Sequence, residues 1–396
     1  MTGPGVRPWR IVMRARDTTE PHRASTPLEL LFDLTFVVAV SQAAAALAHD
    51  VAGAHVGHGL LGFTTVFFAI WWAWMNFTWF ASAYDTDDTP YRLLTMLQMA
   101  GVLVLAAGVP AAFDASDLTT VTVGYLVMRV AMVAQWLRAA ASDEAHRHTC
   151  RRYAAGIAVV QVGWLLRLAL PDSLFLAAFL ALVVAELAVP PWAERTGTTS
   201  WHPHHVVERY GLFMIILLGE SVLAATAAVQ LSLTEGGVTP GLLAVSAAAL
   251  LLLFGLWWLY FLRPTGEGLA THRHLVFAWG YGHYAVFAAL AALGAGLEVA
   301  AEATTHRVVA RDVVVSLAVA VPVVVFLLLL RPVHGALWDE RPTVPPEVLL
   351  AAGATLLLGC APAVGVPVAL AVLAVSLPTA GLVAAKVAEQ HRAARG

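Results

Sequence analysis

The sequence predicts an all-α, polytopic integral membrane protein of about 12 transmembrane helices. Three observations carry that prediction. Of its 396 residues, 59% are hydrophobic and 12% charged, whereas a soluble domain carries about 25% charged residues. Mean hydropathy is +0.75. The apolar runs are continuous and reach the roughly 20 residues that a helix needs to cross about 30 Å of hydrocarbon. They lack the period-two alternation of a membrane barrel.

In order, the expected spans lie near 28–48, 59–83, 91–112, 118–140, 151–170, 173–190, 206–230, 240–262, 273–297, 308–330, 346–362 and 364–385. Pro362 and Pro367 punctuate the last connection, which reads either as a helical hairpin or as one broken span. The domain organisation that follows is a flexible cytoplasmic arm at 1–26, a first six-helix half at 27–191, a cytoplasmic linker at 192–205, a second six-helix half at 206–386 and a cytoplasmic tail at 387–396. The arm has no apolar core of signal-peptide length, so the first span is expected to act as an uncleaved insertion signal. With the N-terminus inside, Arg167, Arg307 and Arg311 face the opposite side and Arg129 falls within a span; the rest of the 23 Lys and Arg are cytoplasmic. That asymmetry predicts both termini inside. The net charge of −3 argues against nucleic acid as a partner, and Cys150 and Cys360 imply no disulfide framework.

Residues 208–224, ERYGLFMIILLGESVLA, align without gaps on ELLFDLTFVVAVSQAAA from residue 29. Glu208 then meets Glu29, Glu220 meets Ser41, and Ser221 meets Gln42. Trp71 and Trp72 of the second span correspond to Trp257 and Trp258 of the eighth. A repeat six spans long enters the membrane from the same side each time, which makes a parallel 6+6 internal repeat.

Such repeats place sites near mid-bilayer, so polar residues at that depth are the candidates. Glu220 stands about 18 Å along its helix from Glu208, Gln42 reaches a similar depth in the first half, and Arg129 is central in the fourth span. A charge there costs at least about 2.5–3.5 kcal/mol, so Glu220 and Arg129 are expected on the bundle interior, paired with one another. Glu29 and Asp33, four apart, share one helix face near the cytoplasmic end. They read either as acids favoured by the positive helix N-terminus and by neighbouring arginines, or as a vestibule for a cation or proton, with Glu208 as the counterpart in the other half.

Other polar groups read in two ways. Asp85, Asp87 and Asp88 fit a helix-capping loop, Asp88 or Thr89 capping the third span before Pro90; the alternative is a site for a hard cation. His49, His55 and His58, and His202, His204 and His205, read as loop histidines, since neither set has tetrahedral ligand spacing. His283, within WGYGHY, is a packed histidine or part of a polar pathway. Trp71, Trp72, Trp74 and Asn76 either pack helices or line an apolar cavity with one polar handle. No G-x-S-x-G, P-loop, H-E-x-x-H or dinucleotide fingerprint is present, so no catalytic residue, metal or cofactor is expected.

The stretches ELLFDLTF (29–36), WWAWMNFTWFASAYDTDDTPYRLLTMLQM (71–99), ERYGLFMIILLGES (208–221) and LWWLYF (256–261) resemble, in order, motifs of the bacterial low temperature requirement A (LtrA) family. The resemblance spans about residues 28–385 and implies a multi-pass protein of the bacterial inner membrane without implying a reaction. Leu262 stands where that pattern commonly has an acid. The function expected on all counts is a secondary transporter or permease for a small solute or ion. Its pathway candidates are Glu220, Gln42, Arg129, Asp33, Glu29, Glu208, Asn76 and His283. The alternatives are a membrane-embedded enzyme acting on lipid or isoprenoid, with Glu29 and Asp33 as base or metal ligand, and a non-catalytic sensor or assembly protein.

Overall fold

Prolines and small capping side chains set where the helices begin. Pro27 follows Thr26 at the start of α1 (Pro27–Ala52). Here the Thr26 N–H donates to Glu29 Oε2 at 2.7 Å and the Glu29 N–H donates back to Thr26 Oγ1 at 3.3 Å, a reciprocal capping box. After α2 (Val56–Ala83), Asp88 Oδ1 accepts the Tyr91 N–H at 2.9 Å and caps α3 (Thr89–Asp114), with Pro90 in its first turn. The chain continues through α4 (Thr119–Ser142), α5 (Arg147–Arg167), α6 (Phe175–Ala193) and α7 (Pro203–Glu235). Thr239 Oγ1 accepts the Leu242 N–H at 3.1 Å to cap α8 (Pro240–Tyr260). Then come the short α9 (Thr265–Thr271), α10 (Val276–Ala303), α11 (Asp312–Gly335), α12 (Pro346–Gly359) and α13 (Val368–Ala393).

The structure, a computed structural model, describes residues 9–17, 20, 24–114, 117–235, 237–305, 308–338 and 344–395, and among them there is no strand. Arg7, Arg23, Arg307 and Arg341, which enter the charge asymmetry, lie outside the described residues. Nine helices among the described residues are long and apolar enough to cross a membrane: α1, α2, α3, α4, α6, α8, α10, α11 and α13. Helices α5, α7 and α12 occupy the other three expected spans. The 14 residues of α12 reach only about 21 Å at 1.5 Å per residue, short of a full crossing. A 3-10 turn at Ala361–Val364 and Gly365, with φ of 90°, then reverse the chain into α13. The region 346–385 is thus a hairpin of one short and one long helix. The arm is docked at residues 9–17: Met13 is fully buried, the Arg16 N–H donates to Ala83 O at 3.1 Å, and the Ile11 N–H donates to Asp88 Oδ2 at 2.9 Å.

The chain divides into two compact units. One comprises the residues up to 39 with 68–209, the other 40–67 with 210 onward, so the division falls inside α1, α2 and α7. In the first unit α3, α4, α5 and α6 pack each on the next; in the second, α10, α11, α12 and α13 do so and α8 packs on α13. Within each unit one helix pair meets at backbone distance. A Cβ on Gly124 of α4 would lie 2.3 Å from the Leu105 nitrogen of α3, and one on Gly296 of α10 would lie 2.2 Å from the Ala318 oxygen of α11. Small residues allow such contact where lipid gives no hydrophobic drive to association. Gly296→Val is therefore expected to force α10 from α11 and lower stability by at least about 1–3 kcal/mol, seen as a drop in the melting temperature of the purified protein.

Trp71, Trp72 and Trp74 are buried in the first unit, as core residues would be. Their counterparts in the sequence alignment, Trp257 and Trp258, are 44% and 41% exposed.

Candidate functional site

Polar side chains gather in four places. In the first unit, α1 presents Glu29 and Asp33 to His205 and Arg209 of α7. Both pairs are four residues apart, so two acids on one helix face meet two bases on the other. Arg209 Nε donates to Asp33 Oδ2 at 2.9 Å and its Nη2 donates to Asp33 Oδ1, a two-pronged bond; its Nη1 lies 3.4 Å from Glu29 Oε1. His205 Nε2 is 3.1 Å from the same Glu29 oxygen, and Trp74 Nε1 donates to Asp33 Oδ1 at 2.7 Å. The Phe77 ring lies beneath the guanidinium, 5.9 Å away. Glu29, Asp33, His205 and Arg209 are all 0–1% exposed. The acids are thus paired with an arginine and, through Glu29, fastened to a helix cap. His205, expected in a loop, sits in the first turns of α7 inside this cluster.

The second place is a carboxylate hub. Glu186 of α6 is fully buried. Arg129 Nη2 donates to its Oε2 at 2.6 Å and Trp72 Nε1 to the same oxygen at 2.9 Å. Tyr125 Oη donates to Oε1 at 2.7 Å and Trp164 Nε1 at 3.2 Å. One carboxylate thereby ties α2, α4, α5 and α6 together. Arg129 is buried as expected, but its carboxylate partner is Glu186 of its own unit, not Glu220. Four donors converge on Glu186, and that satisfies a charge at membrane depth.

The third place, in the second unit, is built around His283 of α10. Its Nδ1 donates to Trp279 O at 2.7 Å, which leaves Nε2 as acceptor for Tyr260 Oη at 3.2 Å; His334 Nε2 is 3.4 Å away. Tyr210 and Trp279 close round the ring at 4.9 and 4.4 Å between centroids.

The fourth place is Glu220 of α7, which is 7% exposed. Its carboxylate is hydrogen-bonded by Ser41 of α1, and Oε2 has no hydrogen-bond partner among the described residues. Glu298 of α10 lies within electrostatic reach of Glu220 and of Glu302, one turn further on. Gln42 does not join them. It is exposed on α1, because a step of one residue turns the helix by about 100° and directs Ser41 inward instead.

The remaining candidates make local bonds. Asn76 Nδ2 donates to Trp72 O at 2.8 Å, one turn back on α2. Glu208 is half-buried and accepts the Ser25 N–H at 3.1 Å. In the aspartate loop Asp85 pairs with Arg16 at 3.2 Å, Asp87 with Arg92 at 2.7 Å, and Asp88 with Arg138 at 2.7 Å while it caps α3. The capping reading of that loop therefore holds. Among the described residues, no three His, Cys, Asp or Glu side chains are grouped to hold a metal ion.

Glu186 and His334 are not among the residues the sequence singles out, His205 reads there as a loop histidine, and Arg209 enters only the count of cytoplasmic charges. Glu186 carried the same signal as Glu220, a lone acid in an apolar run. The i, i+4 match between Glu29/Asp33 and His205/Arg209 was also there to be seen.

Long apolar helices with their ionisable groups turned inward define a multi-pass helical membrane protein. This chain belongs to the bacterial low temperature requirement A protein (LtrA) family, whose model matches residues 24–387. It is similar to an uncharacterized protein of Rhizobium meliloti (strain 1021), 31% identical over 256 residues, 62% of this chain and 60% of that protein. The chain thus spans less than two thirds of that relative's length. No solved structure matches it.

Proposed function

We propose that the protein is a secondary transporter or permease for a small solute or ion, with Glu220 as its proton- or cation-binding group. One observation carries this. Glu29 and Asp33 share Arg209, and Glu186 holds Arg129, but Glu220 forms no ion pair among the described residues. A carboxylate buried without a counter-charge is tolerated when it binds a proton or a cation. Glu298 and Glu302 extend from it toward the C-terminal end of α10 as a stair of acids that would pass a proton or cation along.

In this reading the protein lies in the inner membrane with both termini cytoplasmic, and its two six-helix halves are related as a parallel repeat. The repeat is supported by the close-packed third and fourth spans, joined at Gly101 and Gly124, and their counterparts joined at Gly296.

The test is flux through purified protein in liposomes, followed by solid-supported-membrane current or an internal pH dye across a panel of solutes and ions. A signal is expected that Glu220→Gln abolishes while the melting temperature is kept. If no member of a broad panel gives a Glu220-dependent signal, the proposal fails.

A second reading, action on a lipid or isoprenoid substrate, draws support from an apolar groove of about 590 Å³ in the second unit, walled by Leu60, Phe63, Tyr284 and Val321. The Glu29/Asp33 pair, which this reading would use as base or metal ligand, is paired with Arg209.

A further inference from the structure

Three donor side chains meet at one end of the second unit. His283 stands two turns into α10, Tyr260 ends α8, and His334 lies in the last turn of α11. Gly282 lets α11 come close: a Cβ there would lie 2.8 Å from Val333 Cγ2, and the next residue of α11 is His334. His283 Nε2 is 3.2 Å from Tyr260 Oη and 3.4 Å from His334 Nε2. All three side chains are buried. Their hydrogen bonds do not close. His283 Nε2 has one lone pair, because Nδ1 carries the hydrogen donated to Trp279 O. The Tyr260 O–H takes that lone pair. His334 Nε2 then either brings a second hydrogen to it or sets its own lone pair against it, and both leave a buried group poorly satisfied.

We propose that His283, His334 and Tyr260 bind one divalent transition-metal ion, with zinc as the ion whose geometry they match. Zn–N bonds of about 2.0–2.1 Å at a tetrahedral angle set ligand atoms roughly 3.3–3.4 Å apart. His283 Nε2 stands 3.4 and 3.2 Å from the other two donor atoms. An ion among them receives a lone pair from each nitrogen and resolves the contact that hydrogen bonding leaves incomplete. The His283 Nδ1–H already donates to a backbone carbonyl, the kind of partner that orients a metal-bound histidine. Tyr260 binds as phenolate, and the proton it shares with His283 leaves to solvent as the ion enters. Two imidazoles and one anionic oxygen suit zinc, copper or cobalt and fall short of the octahedral oxygen shell that magnesium demands. Tyr260 and His334 also line a cavity of about 240 Å³, so the fourth position can be filled by water. The three residues are 23 and 51 apart along the chain, which leaves no ligand-spacing motif in the sequence.

The full chain, purified in detergent and stripped with a chelator, should be titrated with Zn²⁺, Co²⁺ and Mg²⁺, and the bound metal counted after equilibrium dialysis. Zinc is expected to bind, cobalt at the same site to show the visible absorption of a tetrahedral ion, and magnesium not to compete. Tyr260→Phe keeps the ring and should weaken zinc binding at least about tenfold, with a changed cobalt spectrum. His334→Gln should do the same, and it decides the matter if Tyr260→Phe does not fold. Zinc binding that both variants retain unchanged would belong to other histidines of the chain and overturn the proposal. No zinc binding, or equal competition by magnesium, would overturn it too. No readout involves flux, so failure here leaves the role of Glu220 standing, and the reverse also holds.

Discussion

Arg209→Ala is expected to lower the stability of the protein by about 3–5 kcal/mol, because removing one partner of a buried ion pair leaves the other charge uncompensated. Here the loss is compounded. Arg209 serves both Asp33 and Glu29, and all three side chains are 0–1% exposed. Two like charges one helical turn apart would remain in the first unit, held by the Trp74 N–H and the His205 ring. The measurement is the thermal melt of purified protein followed by tryptophan fluorescence, a reporter that Trp74 supplies at the site itself. Asp33→Asn in the same chain should restore part of the loss, since it removes one of the stranded charges. A melting temperature that Arg209→Ala does not move would mean that the ion pair is not holding α1 to α7.

Glu186→Leu is expected to cost a similar amount for the opposite reason. It strands a cation, Arg129, whose Nε and Nη1 already have no hydrogen-bond partner among the described residues. It also strips the acceptor from Trp72, Tyr125 and Trp164, each buried donor then losing about 1–3 kcal/mol of compensation. Glu186→Gln keeps a carbonyl acceptor but not the charge, and should fall between Glu186→Leu and the unmodified protein. The double variant Glu186→Leu with Arg129→Met should recover stability relative to Glu186→Leu alone. Comparing the melts of single and double variants gives the coupling energy directly. Additive losses would show that the two side chains do not act as a pair.

These two expectations differ in kind from the one for Glu220. Where an arginine answers an acid, neutralising the acid damages the fold. Where, among the described residues, a hydroxyl alone answers it, as Ser41 answers Glu220, neutralising the acid should spare the fold and remove function. The contrast separates structural from functional acids by experiment, without knowing the solute.

Much of the architecture was legible in the amino-acid order. Most span positions follow from long apolar runs because a helix needs about 20 residues to cross the bilayer. Helix starts follow from Thr26-Pro27, Asp88-Thr89-Pro90 and Thr239-Pro240, because capping is a local matter of three or four residues. The position of Glu220, Arg129 and His283 along their helices was legible for the same reason, since rise per residue is fixed. Gln42 was misjudged because depth says nothing of azimuth; a one-residue step carried Ser41 inward and Gln42 out.

What the sequence by itself determined, then, is where along a helix a given polar group stands. Pairing was decided by the tertiary structure. That Asp33 finds Arg209 at a separation of 176 residues, that Arg129 finds Glu186 and not Glu220, and that Glu220 is left with Ser41, depends on which helix faces meet. Helix contact in lipid is set by close packing of small residues such as Gly124 and Gly296, and those contacts join positions whose separation along the chain carries no energy of its own.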